Sequence, residues 1–422
     1  MFGFFRSNPE VLVAGAGPVG LCAALSLARR GIQVAIIDSE WRGATHSYAL
    51  ALHSRSLELL AELGLADTVL EKARRVRRIG FYEGGERRAS LDLGQVPTEF
   101  PFIAILAQSD FEDILERALA DAGVKVHYSH RLARIEPGAD SVTVEIHRLG
   151  KESMGYGVAQ METVVEGSER ACIPLLLGAD GHDSLVRKQL KIPFEPVRPA
   201  DHFAVFEFNA AGQLPNEVCV VMDPKTTNVL WPMKHDFYRW SFMLQDRTAD
   251  SESRTKDRLL VDVGPYHLPH LEQKVLDTFL LQRAPWFAGG VGRITWRTEV
   301  RFEYRLASAF GKGRVWLAGD AAHMAGPVGI QSMNVGLREA HALCRAFSKV
   351  LKGDSAEKVL GRYNDQRLSE WKALLGLGQP VVASHDAAPW VTDHAERLIS
   401  CIPASGAHLS ALLGHLGLSL PN

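Results

Sequence analysis

Residues 11–20 read VLVAGAGPVG, and no other stretch restricts the fold of this chain so tightly. An apolar, β-branched run ends in Gly15, Gly17 and Gly20, and Pro18 stands where a helix can begin. Residues 21–30 carry a helical apolar stripe that Gly31 closes, and residues 32–37 form a second buried strand ending on Asp38. The pattern predicts a βαβ unit with a dinucleotide-binding turn. Gly15 permits the tight turn, Gly17 lets backbone approach a pyrophosphate, and Gly20 lets the helix pack on the sheet. The helix N-terminus that follows offers N–H groups and a partial positive charge to phosphates. Asp38 follows Gly15 by 23 residues (38 − 15), the spacing for a carboxylate on a ribose diol. This unit alone does not separate NAD from FAD.

Two later strand ends bear on that choice. Residues 172–177 are an apolar run entering GADGHDSLVR, which places Asp180 and Gly181 at the carboxyl end of a buried strand. Read alone, Asp180 serves equally well as a helix N-cap. Residues 314–318 form a third such strand, ending in Gly319 and Asp320 and followed by AAHMAGPVGIQSMN. A long helix begins near residues 329–332, its N–H groups aimed at whatever lies beside Asp320. Three such strand ends in this order point to a single bound flavin.

Between residues 191 and 293 the strand–helix alternation gives way to short alternating strands, the signature of an antiparallel sheet. The predicted division is a nucleotide-binding domain over 1–75, 101–190 and 294–350, a β-sheet substrate domain over 76–100 and 191–293, and a helical region over 351–422. At 422 residues the chain has room for this, and 46% hydrophobic with 23% charged residues is ordinary globular composition. A net charge of -2 gives no electrostatic reason to expect nucleic acid. Five scattered cysteines without a CxxC pair suit a reducing cytosol and predict neither disulfides nor a metal site. The N-terminal apolar stretch is too short for a signal peptide or stable membrane insertion. The expectation is a cytoplasmic monomer or homodimer acting on a small molecule. Within the predicted domains, Gln108 and Ser109 read as the cap of an amphipathic helix, and the region after Asp354 reads as helical to the end.

These stretches together resemble the group A flavoprotein monooxygenases, the para-hydroxybenzoate hydroxylase and phenol hydroxylase-like family, over nearly the whole chain. The resemblance implies an α/β (α+β overall) fold: a glutathione reductase-type FAD-binding Rossmann domain, an inserted antiparallel-sheet substrate domain and C-terminal helices. It implies that Gly15, Gly17 and Gly20 bind the pyrophosphate and Asp38 the adenosine ribose, with Pro18, Val19, Ser39 and Arg42 as further cofactor-binding residues. Gln108 matches the glutamine at the ribityl–phosphate region, Leu132 the position whose backbone meets adenine, and Asp180 with Gly181 the family's second motif. Gly319 and Asp320 would hold a ribityl hydroxyl, and Pro327, Gly329, Ser332, Met333 and Asn334 would surround the isoalloxazine ring. Two positions depart from the pattern: Tyr48 replaces an arginine that often touches FAD, and Ser332 replaces a glycine.

The implied reaction takes NADPH or NADH as co-substrate and O2, and hydroxylates an aromatic or polyketide-like molecule through a flavin C4a-hydroperoxide. Tyr48, Trp231 and Tyr238 are the candidate substrate contacts. No residue is assigned as a catalytic base; His53, His235 and Tyr238 are candidates that each also have a structural reading, and His323 reads as loop packing. The alternatives are an FAD-dependent reductase, a halogenase-like flavoenzyme or a non-catalytic FAD-binding protein. The halogenase WxWxIP segment does not occur; LWPM at Leu230 and ITWR at Ile294 come nearest.

Overall fold

Strand Val11–Ala14 lies at the centre of the first sheet, parallel to Val34–Ile37 on one side and to Leu175–Gly178 on the other. The computed structural model describes residues 8–41, 51–154, 160–211, 214–245, 259–261 and 269–420, so Arg42 and Tyr48 lie outside the described residues. Val126–His127 extends the sheet beyond Val34–Ile37, Val315–Leu317 extends it beyond Leu175–Gly178, and Gly311–Lys312 closes that edge antiparallel. Every residue of Val11–Ala14 and Leu175–Gly178 is buried, which is why these strands read as unbroken apolar runs. The apolar run over 172–177 is not one strand. Pro174 has no N–H to donate, so the chain leaves the hairpin strand Gln160–Ile173 there and enters the parallel sheet as Leu175–Gly178.

The parallel strands send their carboxyl ends to one edge of the sheet. The Gly15 turn, Asp38, Asp180 and Asp320 therefore arise from four adjacent strands. Helix Pro18–Ala28 is buried from Gly20 to Leu27 and packs between helices Gln108–Asp121 and Gln331–Leu351.

The second sheet runs Leu259–Val261, Gly290–Ala307, Phe194–Ala211, Phe237–Leu244, Thr227–Pro232, Val218–Met222, Arg78–Glu83, Glu86–Asp92. It departs from the antiparallel expectation at one pair, because Val218–Met222 runs parallel to Arg78–Glu83. Both of its faces are covered. Val205, Trp231 and Phe302 face the core shared with the first sheet, while Phe206, Tyr238 and Trp240 pack with Leu276 and Leu280 of helix Gln273–Arg283. The short strand His323–Met324 pairs with Leu306 and Arg305, so the loop after Asp320 is stitched to this second sheet.

His130–Pro137, Val142–Met154 and Gln160–Ile173 make a separate antiparallel sheet. The C-terminal part contains helices Ala356–Leu374, Pro389–Asp393, Ala395–Ile399 and Gly406–His415. It also contains a strand pair, Val382–Ala383 with Leu418–Ser419, that the helical expectation did not include. All five cysteines are unpaired. No helix among the described residues is long and apolar enough to cross a membrane.

Candidate cofactor and substrate site

The glycines of the first turn answer three different demands. Gly15 has φ +103°, and a Cβ there would lie 2.1 Å from the Ala179 carbonyl oxygen. Its freedom therefore serves contact with the second motif as well as the turn. A Cβ on Gly20 would lie 1.9 Å from the Gly15 oxygen, whereas one on Gly17 would meet nothing within 4 Å. Gly17 is thus the glycine of this turn that packing does not require, as expected where backbone must admit a phosphate. The Ala16 N–H donates to Asp38 Oδ2 at 2.6 Å and the Glu40 N–H to Asp38 Oδ1 at 2.8 Å, fixing the carboxylate beside the turn. Ser39 follows it, exposed.

Asp180 is not the N-cap of the helix after it. Ser184 is, accepting the Arg187 N–H at 3.0 Å, while Asp180 Oδ2 accepts the Val186 N–H at 3.1 Å. Asp180 Oδ1 is buried without a hydrogen-bond partner, and burial pushes the carboxyl above its ordinary value. A buried orphan oxygen at this strand end is the feature a ligand hydroxyl or amide would satisfy. Gly181 turns the chain away from it with φ +76°. Arg187 joins this motif to the third: its guanidinium donates to Ala321 O and His182 O, both at 2.8 Å, and lies 3.8 Å from the centre of the Phe194 ring.

The third motif closes against the first. Gly319 has φ +67°, and a Cβ on Gly336 would lie 2.9 Å from Val19 Cγ2 and 3.1 Å from Gly319 Cα. Asp320 occupies the short helical turn Gly319–Ala321 beside this contact. Behind it, the buried Glu339 accepts the Gly319 N–H at 3.0 Å and the Trp371 Nε1–H at 2.6 Å, and pairs with His323 Nε2 at 2.7 Å. Burial pushes this carboxyl up, but His323, Arg367 and the Gly319 N–H outweigh it and hold it below its ordinary range. His323 is itself buried and stacked 3.7 Å from Trp371, and no part of it reaches the cleft.

The loop from Ala325 to the helix Gln331–Leu351 is held from several sides. Ser332, the residue in place of a glycine, lies inside the helix, and its Oγ accepts the Ala325 N–H at 3.0 Å. Asn334 is used by the protein: Nδ2 donates to Ala51 O and Ile330 O, while Oδ1 accepts from the His53 N–H and the Ser56 hydroxyl. Its side chain pins the loop to the segment from Ala51 to Ser56. Met333 packs against the core. Gly329 would place a Cβ 2.6 Å from Ser400 O, and Ile330 takes φ +47° to start the helix, which no side chain caps. The first N–H groups of the helix are thus left to what the loop faces.

Opposite this loop lies a cleft lined by Val205, Trp231, Arg239, Ser241, Phe302, Pro327 and Ile330. Trp231 and Arg239 are register partners on neighbouring strands and so share the cleft face. Tyr238, one residue away, must face the other side, where it packs 6.3 Å from Phe287. Tyr238, expected among the substrate contacts, therefore lies off this cleft. His235 is an exposed residue of the hairpin turn with φ +57° and reaches no cleft. His53 is buried, pushed down to about 3, and bonded through Nε2 to Gly329 O at 2.9 Å, so it is a poor proton acceptor at neutral pH. Gln108 is the first residue of its helix, not a cap; Ala107 is the N-cap, and Gln108 Nε2 bonds Glu112 Oε1 at 2.6 Å. Leu132 is buried in strand His130–Pro137 at a register shift. Arg239, bonded through Nε to Glu207 at 2.6 Å and 5.0 Å from the Trp296 ring, was missed in the sequence. Its alternation with Trp231 across the hairpin was the available signal.

The family model described as FAD binding domain matches residues 8–376. The chain belongs to this family. Its cofactor is accordingly FAD. The chain is 30% identical over 369 residues to 6-methylpretetramide 4-monooxygenase of Streptomyces rimosus, covering 86% of this chain and 59% of that protein. It is 26% identical over 381 residues to pentachlorophenol 4-monooxygenase of Sphingobium chlorophenolicum, covering 87% and 63%. The chain thus spans about three fifths of the length of these relatives. Among solved structures, the p-nitrophenol 4-monooxygenase of Pseudomonas putida DLL-E4 superposes with TM-score 0.72 at 21% identity, over 98% of this chain and 97% of that one. This last likeness establishes the fold.

Proposed function

We propose that this protein is an NAD(P)H-dependent flavoprotein monooxygenase that hydroxylates an aromatic or polyketide-like phenol. The observation that carries the reading is the cleft itself, an aromatic and aliphatic space set between the flavin-facing loop and a rigid sheet. The relatives reported above, a tetracycline-precursor monooxygenase and a chlorophenol monooxygenase, support it. FAD, when bound, supplies the two-electron chemistry by which NADPH or NADH and O2 are turned to transfer of one oxygen atom. The chain's own part is placement. Trp231 and Phe302 give a flat apolar wall that holds a ring and excludes water. Arg239, paired with Glu207, and Ser241 put N–H and O–H groups on the same wall, where they can donate to the oxygen of a bound phenol. The start of helix Gln331–Leu351 stabilises negative charge developing on the cofactor side of the loop. Asp180, Asp320, Asp38 and the Gly17 turn hold the nucleotide.

The test is aerobic NAD(P)H oxidation by the FAD-loaded protein across simple phenols and tricyclic or tetracyclic phenols, with ¹⁸O2 incorporation read in the product. Substrate-dependent oxidation with one labelled oxygen per product is expected. Bound FAD that neither NADPH nor NADH reduces with any of these phenols present would overturn the reading.

A further inference from the structure

The loop over residues 325–330 is tied to three other parts of the molecule. Gly326 rests on the second sheet: a Cβ there would lie 2.2 Å from Tyr304 Oη, and the Tyr304 hydroxyl donates to Asp201 Oδ2 at 2.6 Å. The Arg198 guanidinium caps that ring, 3.4 Å from its centre. Burial pushes the Tyr304 hydroxyl above its ordinary range, so it keeps its proton and goes on donating. Gly329 rests on the C-terminal segment, where a Cβ would lie 2.6 Å from Ser400 O and 3.2 Å from Ile402 O. The Gly329 carbonyl is bonded to His53 Nε2 at 2.9 Å. All of these holds are external, each joining the loop to another element.

One hold is internal. Strand His323–Met324 ends at Met324, and the next N–H, that of Ala325, donates to Ser332 Oγ at 3.0 Å. Ser332 stands seven residues further on, in the first turn of helix Gln331–Leu351. Ala325 is 8% exposed, so without that oxygen its N–H would be a buried donor in need of water. A glycine at 332, the residue that this serine replaces, offers no such acceptor. The side chain is well placed for the task, because Cα–Cβ bonds in a helix tilt toward its N-terminus, and here that means toward the loop. The bond joins the strand end to the helix start and closes residues 325–332 into a ring. An opening that carries Ala325 away from the helix must break it.

We propose that Ser332 is a positioning residue that holds this loop shut over bound FAD, and that its hydroxyl oxygen sets how fast FAD leaves. The inference rests on the reading that the loop faces the flavin. Removing the hydroxyl leaves the external holds in place and deletes only the internal one, so the loop still forms but opens more readily. A hydrogen bond of ordinary net strength corresponds to about a fivefold change in that opening equilibrium. Ser332 acts through the loop, by an acceptor oxygen alone.

The test uses the FAD-loaded full chain and reads two rates, amide hydrogen exchange at Ala325 and release of FAD into a trap for free flavin. Both should quicken about fivefold in Ser332→Ala and by at least as much in Ser332→Gly. Both should return to the wild-type rates in Ser332→Thr, which keeps the acceptor oxygen. Unchanged exchange at Ala325 in Ser332→Ala overturns the proposal, because the bond then does not hold the loop. So does a Ser332→Thr protein that exchanges and releases FAD as Ser332→Ala does. Arg397→Ala separates failure of the proposal from failure of the reading beneath it. Arg397 anchors, through Asp223 O, the segment whose Ile399 O and Ser400 O back Gln331 and Gly329. FAD release that quickens in Arg397→Ala but not in Ser332→Ala overturns the role of Ser332. Release unchanged in both, with faster Ala325 exchange in Ser332→Ala, overturns the placement of the loop over the flavin, and the proposal with it.

Discussion

Gly15 and Gly17 stand two residues apart and carry different loads. Alanine at Gly15 would clash with the Ala179 carbonyl and strain a φ of +103°, so Gly15→Ala should destabilise the protein itself by roughly 1–3 kcal/mol. Alanine at Gly17 meets nothing. We expect Gly17→Ala to leave the melting temperature of the apoprotein unchanged within about 0.5 kcal/mol and to weaken FAD binding at least about tenfold, about 1.4 kcal/mol. Apoprotein calorimetry beside a fluorescence titration of FAD separates the two, and an unaltered FAD affinity would remove Gly17 from the phosphate site. Glu339 makes a second case. Its folded carboxyl is held below its ordinary value of 4.5, so it contributes stability present above that value and lost as pH falls through the lower folded one. Glu339→Gln should cost on the order of 3 kcal/mol at neutral pH and flatten the acid limb of melting temperature as pH falls below 4.5. Parallel acid limbs for the two proteins would refute this. The motif glycines were legible because a fixed turn leaves no room for a side chain at Gly15 or Gly20. Asn334 was not, since a motif does not tell whether its amide serves a ligand or, as here, four groups of the chain.

The second sheet shows where pattern reading stops at the level of an element. Its strands were legible as elements, because short β-branched and aromatic runs bounded by turn residues have few other readings. Which side chains reach the cleft was not legible. Alternation identifies the cleft face only when the other face is wet, and here helix Gln273–Arg283 covers the other face with Leu276 and Leu280. Both Trp231 and Tyr238 are therefore buried aromatics, and only the register that pairs Trp231 with Arg239 assigns them to opposite sides. The consequence is a sharp contrast. Trp231→Phe should raise KM for a preferred phenol about tenfold, roughly 1.4 kcal/mol of binding, with little change in kcat. Tyr238→Phe should leave both constants unchanged. Steady-state kinetics on one phenol decides it, and an equal effect of the two substitutions would place the substrate elsewhere.

At the scale of the molecule, the two sheets are not held together by the family motifs alone. The family match ends at residue 376, yet the segment beyond it reaches both halves of the site. Arg397 donates to Asp223 O at 2.8 Å, Thr226 O at 2.6 Å and Thr227 Oγ1 at 2.7 Å, gripping a turn of the second sheet. A few residues on, Ile399 O accepts from Gln331 Nε2 at 3.0 Å, and Ser400 O fills the space that a side chain on Gly329 would need. The sheet turn and the loop before helix Gln331–Leu351 are thus tied through one short stretch of chain. This was invisible in the sequence, because a loop held by backbone carbonyls leaves no residue pattern at the acceptors. The grip has a consequence that simple destabilisation does not. Arg397→Ala removes three charge-assisted or polar bonds, about 1–3 kcal/mol of stability. It also frees the segment that backs Gly329 and Gln331, so FAD should dissociate at least about tenfold faster even though Arg397 grips only the sheet turn. Stopped-flow release of FAD, measured beside the melting temperature, tests the coupling. A variant that melts earlier but releases FAD at the wild-type rate would show that the segment stabilises the fold without positioning the loop.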